Sequence, residues 1–128
     1  MSLFSCNKTS EVDMLSQRID ELITLVEKHK HSDIDAYLTQ RFSVAQRYNK
    51  KQFFQFVNYQ MMRNKTISVT LIDKDILFND DYADVSANVL VLGASEWIPE
   101  RGQIYVVASR WEKENGDWKM SKLRWEKK

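Results

Sequence analysis

The chain predicts an α+β domain: N-terminal helices packed in a strongly curved, cone-like, four-stranded antiparallel sheet. Three observations carry this. The hydrophobic period changes from about 3.6 residues to 2 near Arg63. Helix-period segments all come first and strand-period segments all follow, the order of an α+β domain. An Asn115-Gly116 pair sits between two strand-like runs, which is a strong hairpin signal.

The elements follow in order. Residues 11–30 place Val12, Leu15, Ile19, Leu22, Ile23 and Val26 three and four apart, on one face of a helix. Ser10 with Asp13 forms a capping-box-like start. Ser32 with Asp35 repeats that device and opens a second helix, with Ile34, Tyr37, Leu38 and Phe42 running on toward Tyr48. Asn49 favours a turn. A third helix over 50–62 offers Phe53, Phe54, Phe56, Val57, Met61 and Met62, a stripe wide enough to predict burial on more than one side.

From Ile67 the apolar residues alternate. Ile67, Val69 and Leu71 are odd-numbered, whereas Ile72, Ile76 and Phe78 are even, and a bulge near 72–74 accounts for the jump. After a turn at Asn79-Asp80-Asp81, Ala83, Val85, Ala87, Val89 and Val91 share one face opposite Asp84, Ser86 and Asn88. The closing hairpin pairs Trp111 with Met120 if its turn has two residues, or Arg110 with Met120 if it has three. Neither register makes one face wholly polar, which predicts cover on both sides along part of its length.

At 128 residues the chain is one domain, with 1–10 a leader and 11–128 the folded unit. A net charge of +1 with interspersed signs argues against a nucleic-acid domain. The one basic cluster, Lys119, Lys122, Arg124, Lys127 and Lys128, reads as a solvated strand edge. No run approaches the roughly 18 apolar residues of a membrane span. A single cysteine excludes an internal disulfide. Ser5-Cys6 before a polar stretch matches the end of a bacterial lipoprotein signal, and Met1-Ser2-Leu3 reads as a vector-supplied start. Cys6 is thus a lipidation candidate and the cell envelope the expected location, the only route to a membrane being that anchor. The alternative is a cytoplasmic protein with a free thiol.

The helices, then residues 67–91, then "YVVASRWEKENGDWKMSKLRW", resemble the nuclear transport factor 2-like superfamily, also described as having a cystatin-like fold. The specific pieces are "NDDYADVSANV" and "ENGDWKMSKLRW". "WIPERGQIY" followed by the spaced tryptophans resembles an uncharacterised bacterial branch whose members often carry a lipoprotein signal. The resemblance covers about Glu11 to Glu126. It implies a cone with a pocket at its open end, on which isomerases, dehydratases, cyclases, hydrolases and non-catalytic binders all occur. The dehydratase-type site implies a histidine and an aspartate in the cone, but His29 and His31 fall at the first helix end and the next loop. The isomerase-type site implies a helix tyrosine, for which Tyr37 or Tyr48 could stand, and sheet carboxylates, for which Asp73, Asp75 and Asp84 are poorly placed.

Residue chemistry narrows the rest. His29-x-His31 lacks the further ligands a metal site needs, so no metal and no cofactor are expected. Trp111, Trp118 and Trp125 read as core or interface mass. Arg110, if turned into the cone, needs a salt-bridge partner or an anionic ligand. In residues 93–102, Pro99 cannot continue a central strand and Gly102 lets the backbone re-enter the sheet. Trp97 and Ile98 then fold over an apolar surface, with Glu100 and Arg101 at the rim. Together with Tyr105 and Arg110 these form the candidate ligand or partner site. Three functions remain open: a non-catalytic envelope domain binding a small apolar or anionic molecule or a protein; an isomerase-, dehydratase- or hydrolase-type enzyme on a small apolar substrate; or a structural dimerisation module. A homodimer is expected through the open sheet face, taken to be rich in aromatics.

Overall fold

In a computed structural model, α1 spans Leu3–Glu27, a 3₁₀ helix η1 spans His31–Tyr37, and α2 spans Lys50–Arg63. The strands are β1 Leu38–Val44, β2 Tyr48–Asn49, β3 Ile67–Phe78, β4 Tyr82–Gly93, β5 Gln103–Glu114 and β6 Asp117–Lys127. The structure describes the backbone of residues 3–45, 47–93 and 102–128, and their side chains from residue 10 onward.

The α+β class and the curled sheet stand, but the sheet has six strands in the order β2-β1-β6-β5-β4-β3. It is mixed, because β1 runs parallel to β6 while the other pairs are antiparallel. The second helix is the source of the difference. Only residues 31–37 are helical, as 3₁₀, and 38–44 form β1. Leu38, Phe42 and Val44 are buried, and their even spacing suits a strand as well as a helix. Pairing with β6 decided between the two.

The caps also differ. The α1 backbone is already helical from Leu3, so Ser10 lies inside it and its hydroxyl reaches Met14 Sδ at 3.7 Å. At η1 no side chain caps, and Asp35 instead pairs with Lys50 Nζ at 2.7 Å. The capping box lies at α2: Asn49 Oδ1 accepts from Gln52 N–H, and Gln52 Oε1 accepts from Asn49 N–H, both at 2.9 Å. Burial of α2 is one-sided. Phe53 and Met61 face the core, whereas Phe56, Tyr59 and Met62 are exposed.

Two bulges set which residues face inward. The β3–β4 register shifts between Leu71 and Asp73, leaving Ile72 unpaired as the alternation predicts. Ile67, Val69, Leu71, Lys74, Ile76 and Phe78 therefore share the concave face. In β6 the register shifts at Ser121: Trp111 pairs with Met120, but Arg110 pairs with Lys122. The Asn115-Gly116 turn has two residues, with φ of 56° and 85°, both left-handed as a type I′ turn requires. Gly102 has φ 74°, and a Cβ there would lie 2.8 Å from the Val91 carbonyl oxygen, so only glycine fits.

The faces of the closing hairpin divide cleanly. Tyr105, Val107, Ser109, Trp111, Trp118, Met120, Leu123 and Trp125 are on the concave side, in register with the core residues of β4. Cover is on that side only, since Ile104 and Val106 on the other face are exposed. The bulge gathers Lys119, Lys122 and Arg124 on the outer face of an interior strand, rather than along a sheet edge.

Candidate functional site

The concave sheet face and the two helices enclose the core. Leu15 and Ile19 of α1, Ile34 of η1 and Phe53 of α2 close against Val85, Trp111 and Met120. Polar contacts fix α1 in its first half, near its middle and at its end. In its first half, Glu11 accepts from Trp118 Nε1 at 2.9 Å and from Lys113 Nζ at 2.8 Å. Arg18 donates to the carbonyl oxygens of Trp118 and Ala36, both at 2.9 Å, with its guanidinium 3.9 Å from the Tyr37 ring centre. At its end, Glu27 Oε2 accepts from Val69 N–H at 2.9 Å. The ring of His29, a residue with φ 60°, sits between the Glu27 and Asn64 carbonyl oxygens at 3.2 and 2.6 Å.

Between Arg18 and Glu27 the packing is incomplete. A cavity of about 230 Å³ lies under α1, bounded by Ile23, Ile34, Ala87, Trp111 and their neighbours. Its only charged lining residue among those described is Lys74, and Ser109 supplies a hydroxyl. A wider space of about 530 Å³ toward α2 shares the wall of Val69, Val89 and Val107, and adds Tyr105, Gln60 and Asn64. Asn64 is 1% exposed and its Oδ1 has no hydrogen-bond partner among the described residues, while its Nδ2 donates to Gln60 O at 2.8 Å. No described Asp, Glu or His lines either space.

The sequence candidates are scattered. Tyr105 lines the wider space. Arg110 does not enter the cone. It lies on the outer face directly opposite Asp84, donating Nε to Oδ1 at 2.8 Å and Nη2 to Oδ2 at 3.2 Å, and stacks on Tyr82 at 3.9 Å. This forked pair raises the pKa of Arg110 and answers its need for a partner without a ligand. Trp97, Ile98, Glu100 and Arg101 lie outside the described residues, as does the side chain of Cys6. The expected aromatic outer face is not present. Apart from Tyr82, the aromatics of the described strands β3 to β6 point inward, and the outer face exposes Ile72, Leu77, Ile104 and Val106. Asp73, released outward by the bulge, accepts from Asn88 Nδ2 and N–H, which lowers its pKa.

One tyrosine–carboxylate pair does form, outside the cone. Tyr37 O–H donates to Glu21 Oε2 at 3.2 Å in an open groove along the outer side of α1. Tyr48 is exposed. Among the described residues no group of three or more His, Cys, Asp or Glu could hold a metal ion, and no helix is long and apolar enough to cross a membrane.

This geometry, a curled mixed sheet closed over one long helix, is shared with solved structures. A candidate dehydratase of the nuclear transport factor 2-like family from Streptomyces avermitilis superposes with a TM-score of 0.81 at 13% identity, over 92% of this chain and 96% of that one. The fold is nuclear transport factor 2-like. Within it, the hexachlorocyclohexane dehydrochlorinase LinA-type3 from Novosphingobium barchaimii superposes with a TM-score of 0.77 at 17% identity, over 96% and 90% of the two chains. Bd1075 of Bdellovibrio bacteriovorus gives 0.78 at 14% identity. It aligns with 89% of this chain, which spans only 40% of Bd1075. No family model and no curated protein matches the sequence. At these identities the likeness concerns the fold, and the cone's own lining must speak for chemistry.

The Tyr37 phenol is pushed above its ordinary pKa, first by burial, then by the charge of Glu21 and the hydrogen bond to it. A raised folded-state pKa contributes stability that is complete below the unfolded value near 10 and is lost as pH rises through the folded value. In an ultraviolet titration, the step removed by Tyr37→Phe is expected above pH 10. Glu21→Gln should move that step part of the way back, because burial remains.

Proposed function

We propose that the chain binds a small, largely apolar molecule inside the cone and does not use a tyrosine–carboxylate pair for proton transfer there. The observation that carries this is the cavity beneath α1: about 230 Å³ of unfilled, mostly aliphatic and aromatic space with no described carboxylate or histidine on its wall. Ligand sites are commonly of this kind, concave and apolar with few polar groups. Folds of this type include the dehydratase and dehydrochlorinase neighbours, so the enzyme reading remains the alternative. Against it stands the placement, on the outer side of α1, of the one tyrosine–carboxylate pair among the described residues.

Ala87 is the probe residue, since it lines the cavity at the centre of β4. In thermal-shift measurements, camphor or naphthalene is expected to raise the melting temperature of the native chain. Ala87→Leu should fold with unchanged or higher stability and lose that response. No response from the native chain would end the reading. So would a cost of about 1–3 kcal/mol for Ala87→Leu, the usual penalty for overpacking a filled core.

The same proposal places the domain at the cell envelope, attached through a lipid on Cys6. Its support is the Ser5-Cys6 pair followed by a polar stretch. Mass spectrometry of the native protein should find a diacylglyceryl-modified cysteine as the first residue. An unmodified cytosolic protein refutes the anchor.

A homodimer through the outer sheet face belongs to this reading as well. Its support is aliphatic rather than aromatic: Ile72, Leu77, Ile104 and Val106 are 36–67% exposed on that face. Light scattering at micromolar concentration should return twice the mass of 15.2 kDa. The monomer mass would count against the dimer.

A further inference from the structure

We infer that Lys74 and Ser109 form an anion subsite within the cone, and that the natural ligand is a compact apolar monocarboxylic acid. This rests on the cone-binding reading above and names its ligand class.

The first observation is orientation. Without the Ile72 bulge, alternation from Leu71 would send Asp73 and Asp75 inward. With it, Lys74 faces the core and both aspartates face solvent. The second is the absence of a counter-charge. The carboxylates of Asp35, Asp84, Glu11 and Glu114 pair with Lys50, Arg110, Lys113 and Lys119. Lys74 is half-buried and has neither an ion pair nor a hydrogen bond among the described residues. A half-buried ammonium among apolar side chains is unfavourable unless something supplies the opposite charge.

The third observation is the serine. Trp111 Nε1 donates to Ser109 Oγ at 3.0 Å, which occupies one lone pair and fixes the side chain. The hydroxyl's own proton has no acceptor among the described residues and is available to the cavity that Ser109 lines. Lys74 pairs across β3–β4 with Ala87, and Ser109 across β4–β5 with Val85. The two residues are thus two strands and two residue pairs apart, about 12 Å between backbones from ordinary strand spacing and rise. A lysine, a carboxylate and a serine together span that gap with normal hydrogen bonds of about 2.8–3.0 Å. Ala87, the small residue beside Lys74, leaves the space between them open. The rest of the lining takes an apolar body, and the absence of a second described cation matches one carboxylate rather than two.

Isothermal titration with cyclohexanecarboxylate and its neutral analogue cyclohexanecarboxamide tests this. The native chain is expected to bind the carboxylate at least about tenfold more tightly, as charge-assisted hydrogen bonds are the stronger kind. Lys74→Met should keep the fold, with a melting temperature equal to or above the native one, and bind both compounds alike. Lys74→Arg should retain most of the preference. Equal binding of the two compounds by the native chain, or a preference that survives in Lys74→Met, overturns the anion subsite and leaves the apolar cavity standing. If neither compound binds, the cone-binding reading falls and the subsite with it.

Discussion

The extra residue at Ile72 is the constraint on which the interior depends. Strand side chains alternate strictly, so one inserted residue reverses the facing of everything beyond it until the strand ends. In β3 that reversal turns Ile76 and Phe78 toward Trp118 and the core, and frees Asp73 and Asp75 to the outer face. The bulge at Ser121 does the same for β6, keeping Leu123 and Trp125 inward after Trp118 and Met120. Two insertions, on strands that are not neighbours, let an interior stay apolar along strands of 11 and 12 residues. They also increase local twist, which suits a sheet that must curl around a helix.

α1 lies across that curl without filling it. It is held by polar side chains to backbone and indole partners: Glu11 in its first half, Arg18 near its middle, and Glu27 with the following His29 at its end. Such contacts set the height of the helix above the sheet independently of how well the stretch between Arg18 and Glu27 packs. Small residues beneath the middle, Ala87 and Ser109, then leave the space open. The cavity follows from anchoring on either side of that stretch combined with small side chains beneath it.

Much of this was legible in the residues. The odd-to-even jump at Leu71–Ile72 locates the first bulge, and the even-to-odd jump from Met120 to Leu123 is the same signal for the second. The register of the last hairpin follows from Asn115-Gly116 once the turn is known to have two residues. Residues 38–44 were not legible, because Leu38 and Phe42 sit four apart and satisfy both periods. What decided them is a parallel pairing with a strand some 80 residues away, and no local pattern encodes that. The facing of Arg110 was open for a related reason: its partner Asp84 is known only once β4 and β5 are set in register. Lys74 follows from the bulge, but a lysine in a strand draws attention only when its neighbours on that face prove to be apolar.

The sheet has two ends, and each is closed to growth in its own way. β2, at one end, is only two residues long. β3, at the other, is long, but Glu27 already occupies the Val69 N–H and Ile72 interrupts the ladder three residues further on. An incoming strand would find neither an uninterrupted row of free donors nor a flat edge, the features that template edge-to-edge addition. The helix clamp at Glu27 therefore has a second consequence, in the behaviour of crowded solutions: replacing that carboxylate would bare the start of β3 and favour fibrous assembly of a chain that still folds.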